Sequence, residues 1–230
     1  MGEGDAGFYG EGYDGLGWEA VEVEQDRWLA FGLPGRPAET GLILYPGARI
    51  DPRAYAPAAR MLAGSGYYVV IVPMPLRFAL LHQRAADAVI KANPQVQRWV
   101  IGGHSLGGVA AADYVCEHPA RVVGLVLWAA YPSAGCDLSQ AALPVLSLYG
   151  TRDRLTTPAD VERSRSRLPA DARYVAIEGG NHAGFGYYGS QSGDQEASIS
   201  LDEQQRQIVR ETLALLKAVE AAGSTQSKGE

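Results

Sequence analysis

The alternation of apolar runs with helical segments restricts the fold of this chain more than any other feature. Six apolar runs are mostly continuous in hydrophobicity, rather than alternating strictly with polar residues. Strands that are buried on both faces have this pattern, and parallel sheets are built from such strands. We therefore predict six buried strands, within residues 41–47, 67–75, 98–105, 122–132, 143–153 and 172–182.

Helical segments fill the intervals between these runs. Some follow a helix-start signal, such as Asp51-Pro52 before the first helix and Thr157-Pro158 before the fourth. Strands that alternate with helices through short joints form βαβ units. The pattern predicts an α/β protein with a doubly wound, mostly parallel sheet, preceded by an antiparallel hairpin in residues 18–33. The predicted helices cover residues 53–63, 78–92, 106–117, 158–168 and 202–221.

One domain accounts for most of the 230 residues. Hydrophobic residues make up 47% of the chain and charged residues 20%, which is enough apolar material for a core. We expect this domain to span residues 18–222. Residues 1–17 are rich in glycine and predict a flexible arm, and residues 223–230 predict a disordered tail.

Charge and hydropathy exclude several classes of protein. The net charge of −6 gives no excess of basic side chains for a nucleic-acid partner. The longest apolar run, residues 122–131, is about half as long as the roughly 20 residues of a membrane-spanning helix, so we expect no stable membrane insertion. The N-terminal residues lack the basic and apolar regions of a signal peptide, which favours a cytoplasmic protein and leaves open a leader already removed.

Two cysteines, Cys116 and Cys136, are too few for a disulfide-dense scaffold or a multi-cysteine zinc site. One disulfide between them is the alternative to two unpaired thiols, and we expect the unpaired thiols. The sequence also lacks a phosphate loop, a His-Glu-x-x-His motif and paired Cys-x-x-Cys motifs. We therefore expect neither a metal nor another cofactor.

The strongest chemical signal is the segment Gly103-His104-Ser105-Leu106-Gly107. A predicted strand enters it and a helix rich in small residues leaves it, which is the setting of a nucleophile elbow. The serine of such an elbow lies on a strained turn above the sheet edge, and the flanking glycines let strand and helix approach closely. Ser105 is therefore the predicted nucleophile, and an incidental serine in a glycine-rich turn is the alternative. We expect His104 to point sideways, as a packing residue or at the pocket rim.

A serine hydroxyl needs a base to become a nucleophile at neutral pH. His182 is the predicted base, because it follows the last apolar run and should lie at the same sheet edge as Ser105. His82 and His118 fall on helices, where surface or capping roles are common, and His104 lies inside the elbow itself.

The base in turn needs a carboxylate that fixes its tautomer and stabilises the imidazolium. Asp153 is the predicted acid, because it follows the fifth apolar run and should reach the same edge. Asp160 falls inside a helix, and Asp171 precedes a strand at the opposite edge. Ser105, Asp153 and His182 occur along the chain in the order expected of such an elbow fold.

The tetrahedral intermediate of ester hydrolysis needs two backbone donors. The amide of Leu106 is one, because it directly follows the nucleophile at a helix start. The other should come from the loop after the first parallel strand, where Ala48 is our choice and Gly47 or Arg49 are alternatives.

These blocks resemble those of α/β-hydrolase fold proteins from about residue 40 to residue 217. In particular, the chain looks like small bacterial hydrolases of the family 5 type, which are related to dienelactone hydrolases and carboxylesterases. The resemblance implies a serine hydrolase with Ser105 as nucleophile, Asp153 as acid and His182 as base. One departure is that dienelactone hydrolases use a cysteine as nucleophile, so the serine here favours ordinary carboxylic esters. The matching blocks are LILYPGARIDPRAYAP, VVIVPMP, WVIGGHSLGG, LYGTRD and IEGGNHAGFGYYG.

The joint from Ser133 to Ala142 is too short for the helical cap domain that many such hydrolases insert there. We therefore expect an open site for a small-molecule ester with a short or medium acyl chain, in a monomer or small homo-oligomer. Thioesters, lactones and lysophospholipids are alternative substrates, and a non-catalytic binding module is the alternative of another class. The candidate pocket residues are Gly47, Arg49, Met74, His104, Trp128, Tyr131, Phe185, Tyr187 and Tyr188.

Overall fold

Eight strands and five α-helices alternate in the computed structural model, which describes residues 22–25, 27–73 and 82–226. The first two strands form the predicted hairpin, and each later strand coincides with one of the six predicted apolar runs, except that β3 begins one residue earlier, at Thr40. The strands are β1 (Glu22–Gln25), β2 (Leu29–Gly32), β3 (Thr40–Tyr45), β4 (Tyr68–Ile71), β5 (Arg98–His104), β6 (Gly124–Trp128), β7 (Val145–Gly150) and β8 (Arg173–Ile177). The helices are α1 (Ala56–Gly64), α2 (His82–Ala92), α3 (Leu106–Glu117), α4 (Pro158–Ser164) and α5 (Leu201–Gln226).

All eight strands belong to one sheet, in the order β1-β2-β4-β3-β5-β6-β7-β8. The pairs β1–β2 and β2–β4 are antiparallel, and every other neighbouring pair is parallel. The predicted doubly wound, mostly parallel sheet with a leading antiparallel hairpin is therefore confirmed.

Both faces of the sheet are covered by helices, which explains the continuous apolar runs. Leu42 and Leu44 of β3 pack on the face that carries α1 and α5, whereas Ile43 and Tyr45 pack on the face that carries α2 and α3. Successive side chains of a strand point to opposite faces, so a strand covered on both sides must be apolar at every position.

The strand order reverses at β3, whose two neighbours are β4 and β5. The chain leaves β3 for β4 on one side and later returns to β5 on the other. Loops that leave the carboxyl ends of two such strands diverge and open a crevice, which is where ligands bind in sheets of this kind. The loop after β3 and the turn after β5 are therefore placed together by the topology.

Residues 129–144 join β6 to β7 without any helix, and all of them are described. This agrees with the expected absence of a cap at this position. None of the described helices is long and apolar enough to cross a membrane.

Cys116 and Cys136 form a disulfide, with their Cα atoms 5.8 Å apart, so the expectation of two unpaired thiols was wrong. Cys116 lies in the last turn of α3 and Cys136 in the connection between β6 and β7. These positions meet because the connection folds back along α3, where Cys136 is buried against the helix. The pairing depends on this long-range packing, which residue spacing does not reveal.

Two boundaries differ from the sequence predictions or lie beyond the described residues. Helix α5 continues to Gln226, so residues 223–226 are helical instead of belonging to a tail. Gly223 lies in this extension, where a Cβ would be 2.8 Å from the side chain of Arg98 on β5. The predicted arm, the last residues of the tail and Met74 lie outside the described residues.

Candidate active site

Ser105 stands on a strained turn between β5 and α3, with φ of 53° and ψ of −124°. A residue other than glycine rarely adopts this backbone conformation, and such strain is typical of functional sites. The turn is held by a hydrogen bond from the Ser105 amide to the carbonyl of Trp128, at 2.9 Å. The Ser105 side chain is partly exposed at the carboxyl edge of the sheet.

Glycines around Ser105 allow the backbones to approach closely. A Cβ on Gly103 would lie 2.4 Å from the backbone of Gly107, and a Cβ on Gly108 would lie 2.4 Å from the side chain of Ala130. A Cβ on Gly107 would lie 2.3 Å from the carbonyl oxygens of both Tyr45 and Pro46. Strand, turn and helix can therefore pack this tightly only because these positions have no side chain.

The loop after β3 lies directly against the start of α3, as the contact of Gly107 with Tyr45 and Pro46 shows. Ala48 and Arg49 are exposed in this loop, and Arg49 has a positive φ of 62°. The Gly47 amide donates to the hydroxyl of Tyr55, at 3.0 Å, and so points into the protein. Leu106 opens α3, and the first amides of a helix have no partner within the helix.

Asp153 and His182 are joined by a hydrogen bond of 2.7 Å between Oδ2 and Nδ1. Both side chains are almost completely buried. The other carboxylate oxygen of Asp153 accepts the amides of Leu155 and Thr156, at 2.8 Å and 2.7 Å. A carboxylate held by these donors accepts a hydrogen bond from the Nδ1–H group of His182, so the proton of the neutral ring stays on Nδ1 and Nε2 keeps its lone pair.

The position of Ser105 relative to this pair follows from the preceding residue, His104. The centre of the His104 ring is 4.6 Å from that of the His182 ring. The described residues contain no hydrogen bond from the Ser105 hydroxyl to His182. Catalytic hydrogen bonds are often long or misaligned before a substrate binds. The structure thus brings Asp153 and His182 into direct contact and places Ser105 beside them at the same edge.

Asp194 holds the acid loop and the base loop together. One of its carboxylate oxygens accepts the amide of Arg154, at 3.2 Å, and the other accepts the amide of Ala183, at 2.9 Å. These amides belong to the residues that directly follow Asp153 and His182. The Gly180 carbonyl also accepts the amide of Arg152 at 2.8 Å, so backbone and side-chain bonds together fix the distance between the two loops.

Two buried glutamines of α5 support the segment around His182. Gln204 accepts the amide of Asn181 and donates to its carbonyl, and Gln205 donates to the carbonyl of Gly184 at 2.7 Å. A Cβ on Gly184 would lie 2.1 Å from the Gln204 side chain, so the glycine leaves the room that this contact needs. Neither glutamine nor Asp194 was identified from the sequence, because their roles depend on how distant loops pack.

Three candidate pocket residues lie beneath the site instead of lining it, and for His104 this is the packing role, one of the two roles expected for it. His104, Trp128 and Phe185 have no exposed surface. The Trp128 indole donates to Thr212 of α5, and His104 stacks on Phe185 with the ring planes 12° apart. A position at the end of a strand predicts the correct edge of the sheet, but not the face toward which the side chain points.

The other described pocket candidates are half-buried or exposed, apart from the buried Gly47. Tyr131 is half-buried and Arg49 is exposed, whereas Gly47 is a buried residue of the loop after β3. Tyr187 and Tyr188 are half-buried, and their hydroxyls bond to Asp202 and Gln191 respectively. The Tyr187 amide also donates to the carbonyl of Ala54, which ties this loop to the segment before α1.

The surroundings of His104, which lies next to His182, favour its neutral form. Burial, together with the nearby His182, holds the pKa of His104 well below its usual value of 6.5. His104 therefore remains neutral. Among the described residues, no three His, Cys, Asp or Glu side chains are grouped so as to hold a metal ion.

Comparison with known proteins places this fold and site in context. The computed structure resembles that of a predicted CIB-like hydrolase from Thermoplasma acidophilum, with a TM-score of 0.64 and 17% identity, covering 86% of this chain and 99% of that chain. It also resembles a monoacylglycerol lipase from Paleococcus ferrophilus, with a TM-score of 0.64 and 17% identity, covering 84% of this chain and 99% of that chain. At this identity the two structures share the fold with this chain, and no curated protein matches its sequence.

A model of the alpha/beta hydrolase family matches residues 41–206, which run from β3 to the first turns of α5 and include Ser105, Asp153 and His182. The match covers well over half of the 230 residues. The chain therefore belongs to the alpha/beta hydrolase family.

Proposed function

We propose that this hydrolase-family protein is a serine esterase acting on carboxylic esters, with Ser105 as nucleophile, His182 as base and Asp153 as acid. The observation that carries the proposal is the buried bond between Asp153 and His182, at the sheet edge where Ser105 stands on its strained turn. Three side chains so arranged have the roles that acyl transfer requires.

The proposed reaction has two steps. His182 Nε2 removes the Ser105 proton as Oγ attacks the ester carbonyl, and the negative charge passes to the carbonyl oxygen. The amides of Leu106 and Ala48 stabilise that oxyanion. When the intermediate collapses, the alcohol leaves with the proton from His182, and an acyl-enzyme remains. A water molecule activated by His182 then releases the acid and restores Ser105.

Apolar side chains at the surface next to the site support an apolar acyl group. Leu106 is 55% exposed and directly follows Ser105, and Leu155 is 38% exposed and lies two residues after Asp153. Both leucines are close in sequence to a proposed triad residue, which supports apolar contacts for an acyl group at this edge of the sheet. With no helix in residues 129–144 to cover them, we infer an open site for short or medium acyl chains.

Several substrates fit the same triad. Thioesters, lactones and lysophospholipids share the acyl carbonyl, and the structural likeness to a monoacylglycerol lipase adds glycerol esters to the set. The alternative of another class is a non-catalytic binding module. The bond between Asp153 and His182 favours the enzyme, because a binding module has no use for a buried, oriented imidazole.

The disulfide bears on where the protein works. Disulfides persist in oxidising compartments and are rare in the cytosol, so the bond between Cys116 and Cys136 argues for an oxidising compartment and against the cytoplasmic location that the sequence favoured.

A panel of p-nitrophenyl esters, thioesters, lactones and monoacylglycerols tests the proposal. We expect saturable hydrolysis of the simple esters by the wild-type protein, with or without EDTA. Preferential hydrolysis of a thioester or a lactone would replace the proposed substrate class. Hydrolysis of none of them, together with saturable binding of an ester, would favour the binding module.

A further inference from the structure

A chain of buried hydrogen bonds connects the loop after β3 to the elbow. The Gly47 amide donates to the Tyr55 hydroxyl at 3.0 Å, and that hydroxyl lies 2.8 Å from Nδ1 of His104. Tyr55 is 1% exposed and His104 is 0% exposed, so water does not compete for these bonds. Gly47 and Tyr55 lie at the two ends of the connection between β3 and α1, and His104 ends β5, so this hydroxyl group joins that connection to the elbow.

The protons along this chain have a definite arrangement. The Tyr55 oxygen accepts the Gly47 proton and has a single proton of its own to donate. His104 Nδ1 is the acceptor within reach of that proton, and we therefore assign the proton of the neutral ring to Nε2. Nε2 is buried near the backbone of His182, and the ring stacks on Phe185, so the bond from Tyr55 holds the Nδ1 side of a ring that packing also orients.

This arrangement decides which amide of the loop can face a substrate. The Gly47 amide points inward to Tyr55 and is not available to an oxyanion. The Ile50 amide donates back to the Gly47 carbonyl at 3.2 Å and closes a turn, in which Ala48 is exposed. The same loop touches the start of α3, where the Leu106 amide lies. With the amides of Gly47 and Ile50 both bonded inside the loop, those of Ala48 and Arg49 are left, and we assign the second donor beside Leu106 to Ala48.

We propose that Tyr55 is a positioning residue of the oxyanion hole. Its hydroxyl, oriented by His104, holds the Gly47 amide inward and so turns the Ala48 amide toward the site. The inference rests on the proposed function, since an oxyanion hole matters only if Ser105 forms a tetrahedral intermediate. It assigns a role to Tyr55, which does not contact the reacting atoms, and to the otherwise unused histidine of the elbow.

The variant Tyr55→Phe tests this role. It removes one hydroxyl and leaves the buried Gly47 amide without an acceptor, so the turn should move to satisfy that amide. Losing one oxyanion donor costs roughly 100- to 1,000-fold in kcat, and displacing one should cost about 10- to 100-fold. We expect that fall in kcat with KM changed less than about threefold. Affinity for a boronic acid, which mimics the tetrahedral anion, should fall by the same factor as kcat.

Tyr114→Phe is the matched control. Tyr114 is another buried tyrosine, and it lies in the second half of α3, away from Ser105. The substitution removes its hydroxyl group, which donates to Asp87 of α2 at 3.0 Å. We expect its kcat and its boronic-acid affinity to stay within about twofold of the wild type. A second pair of variants tests His104, at the other end of the chain of hydrogen bonds. In His104→Asn the amide oxygen can replace Nδ1 as the acceptor for Tyr55, whereas His104→Leu offers no acceptor. The asparagine variant should retain at least about tenfold more kcat than the leucine variant.

The outcomes separate this inference from the proposed function. If fluorophosphonate labels Ser105 in the wild type but Tyr55→Phe keeps its kcat within about twofold, the positioning role is wrong and the esterase stands. If Tyr55→Phe and Tyr114→Phe lose kcat equally, the loss is general destabilisation and the role is also wrong. If the wild type neither labels nor hydrolyses esters, the proposed function itself has failed.

Discussion

Asp153 uses both of its carboxylate oxygens, one for His182 and one for the amides of Leu155 and Thr156. All three partners donate hydrogen bonds, so this position requires a side chain whose two terminal atoms are both acceptors. Asp153→Asn would place an NH₂ group against at least one of them and favour the wrong tautomer of His182. We expect kcat to fall on the order of 10³- to 10⁴-fold, measured on a p-nitrophenyl ester at fixed pH.

Asp171→Asn is the control for this substitution, because Asp171 is exposed before β8 at the other edge of the sheet. Its kcat should equal that of the wild type. If Asp153→Asn retained the same kcat as Asp171→Asn, Asp153 would not belong to the proposed triad.

His104 predicts how stability depends on pH. The pKa of His104 in the folded protein lies well below the usual 6.5. As the pH falls, this side chain is therefore protonated at a higher pH in the unfolded chain than in the folded protein. The free energy of unfolding should therefore fall as the pH is lowered below about 6.5 and be fully restored above it.

Urea unfolding of the wild type and of His104→Asn at several pH values measures this effect. The asparagine variant lacks the titrating group, so its stability should decline less steeply between about pH 4.5 and 6.5, and both curves should run parallel above about pH 7. Identical slopes in the acid range would show that His104 does not contribute.

At the scale of elements, the site depends on loops that are tied to each other as well as to their strands. Asp194 links the acid loop to the base loop, and Gln204 and Gln205 connect the base loop to α5. These polar side chains are at unremarkable positions in the sequence. Their partners are backbone groups from distant segments, and local periodicity carries no information about such contacts.

The disulfide ties the end of α3 to the β6–β7 connection, with a sequence separation of 20. Closing a loop of this length restricts the unfolded chain and contributes about 3 kcal/mol to stability. Cys116→Ser should therefore lower the melting temperature, and dithiothreitol should lower that of the wild type by a similar amount. Because the bond lies at the far end of α3 from Ser105, kcat at 25 °C should change little. Two titratable thiols in the unreduced, denatured protein would contradict this account.

At the scale of the whole molecule, features that follow from strand direction were predictable from the sequence. The elbow is a contiguous strand–turn–helix, and the placement of Asp153 and His182 follows from the polarity of β7 and β8. Tyr55 was not predictable as a partner of Gly47, because that contact depends on how the segment before α1 folds over β3. The direction of the Trp128 side chain was mispredicted for a related reason, since its face of the sheet depends on pairing.

The absent cap predicts a preference for short acyl chains. Each methylene that a dry pocket encloses contributes about 0.8 kcal/mol, but the connection of residues 129–144 offers no helix to enclose a long chain. We expect kcat/KM on p-nitrophenyl esters to peak at roughly two to six acyl carbons and then to fall. Detergent-dispersed long-chain triglycerides should be poor substrates, with no rise in rate at an oil–water interface. A maximum at long acyl chains would mean that residues 184–200 act as a lid.

The most direct test of the central claim is to map the site at which a fluorophosphonate reacts. An activated serine forms a stable phosphonyl adduct, whereas unactivated serines do not react at neutral pH. The account predicts one adduct per chain, found by mass spectrometry on the peptide that contains Ser105, and none in the folded Ser105→Ala variant. The absence of an adduct in the wild type, or an adduct on another residue that persists in Ser105→Ala, would contradict it.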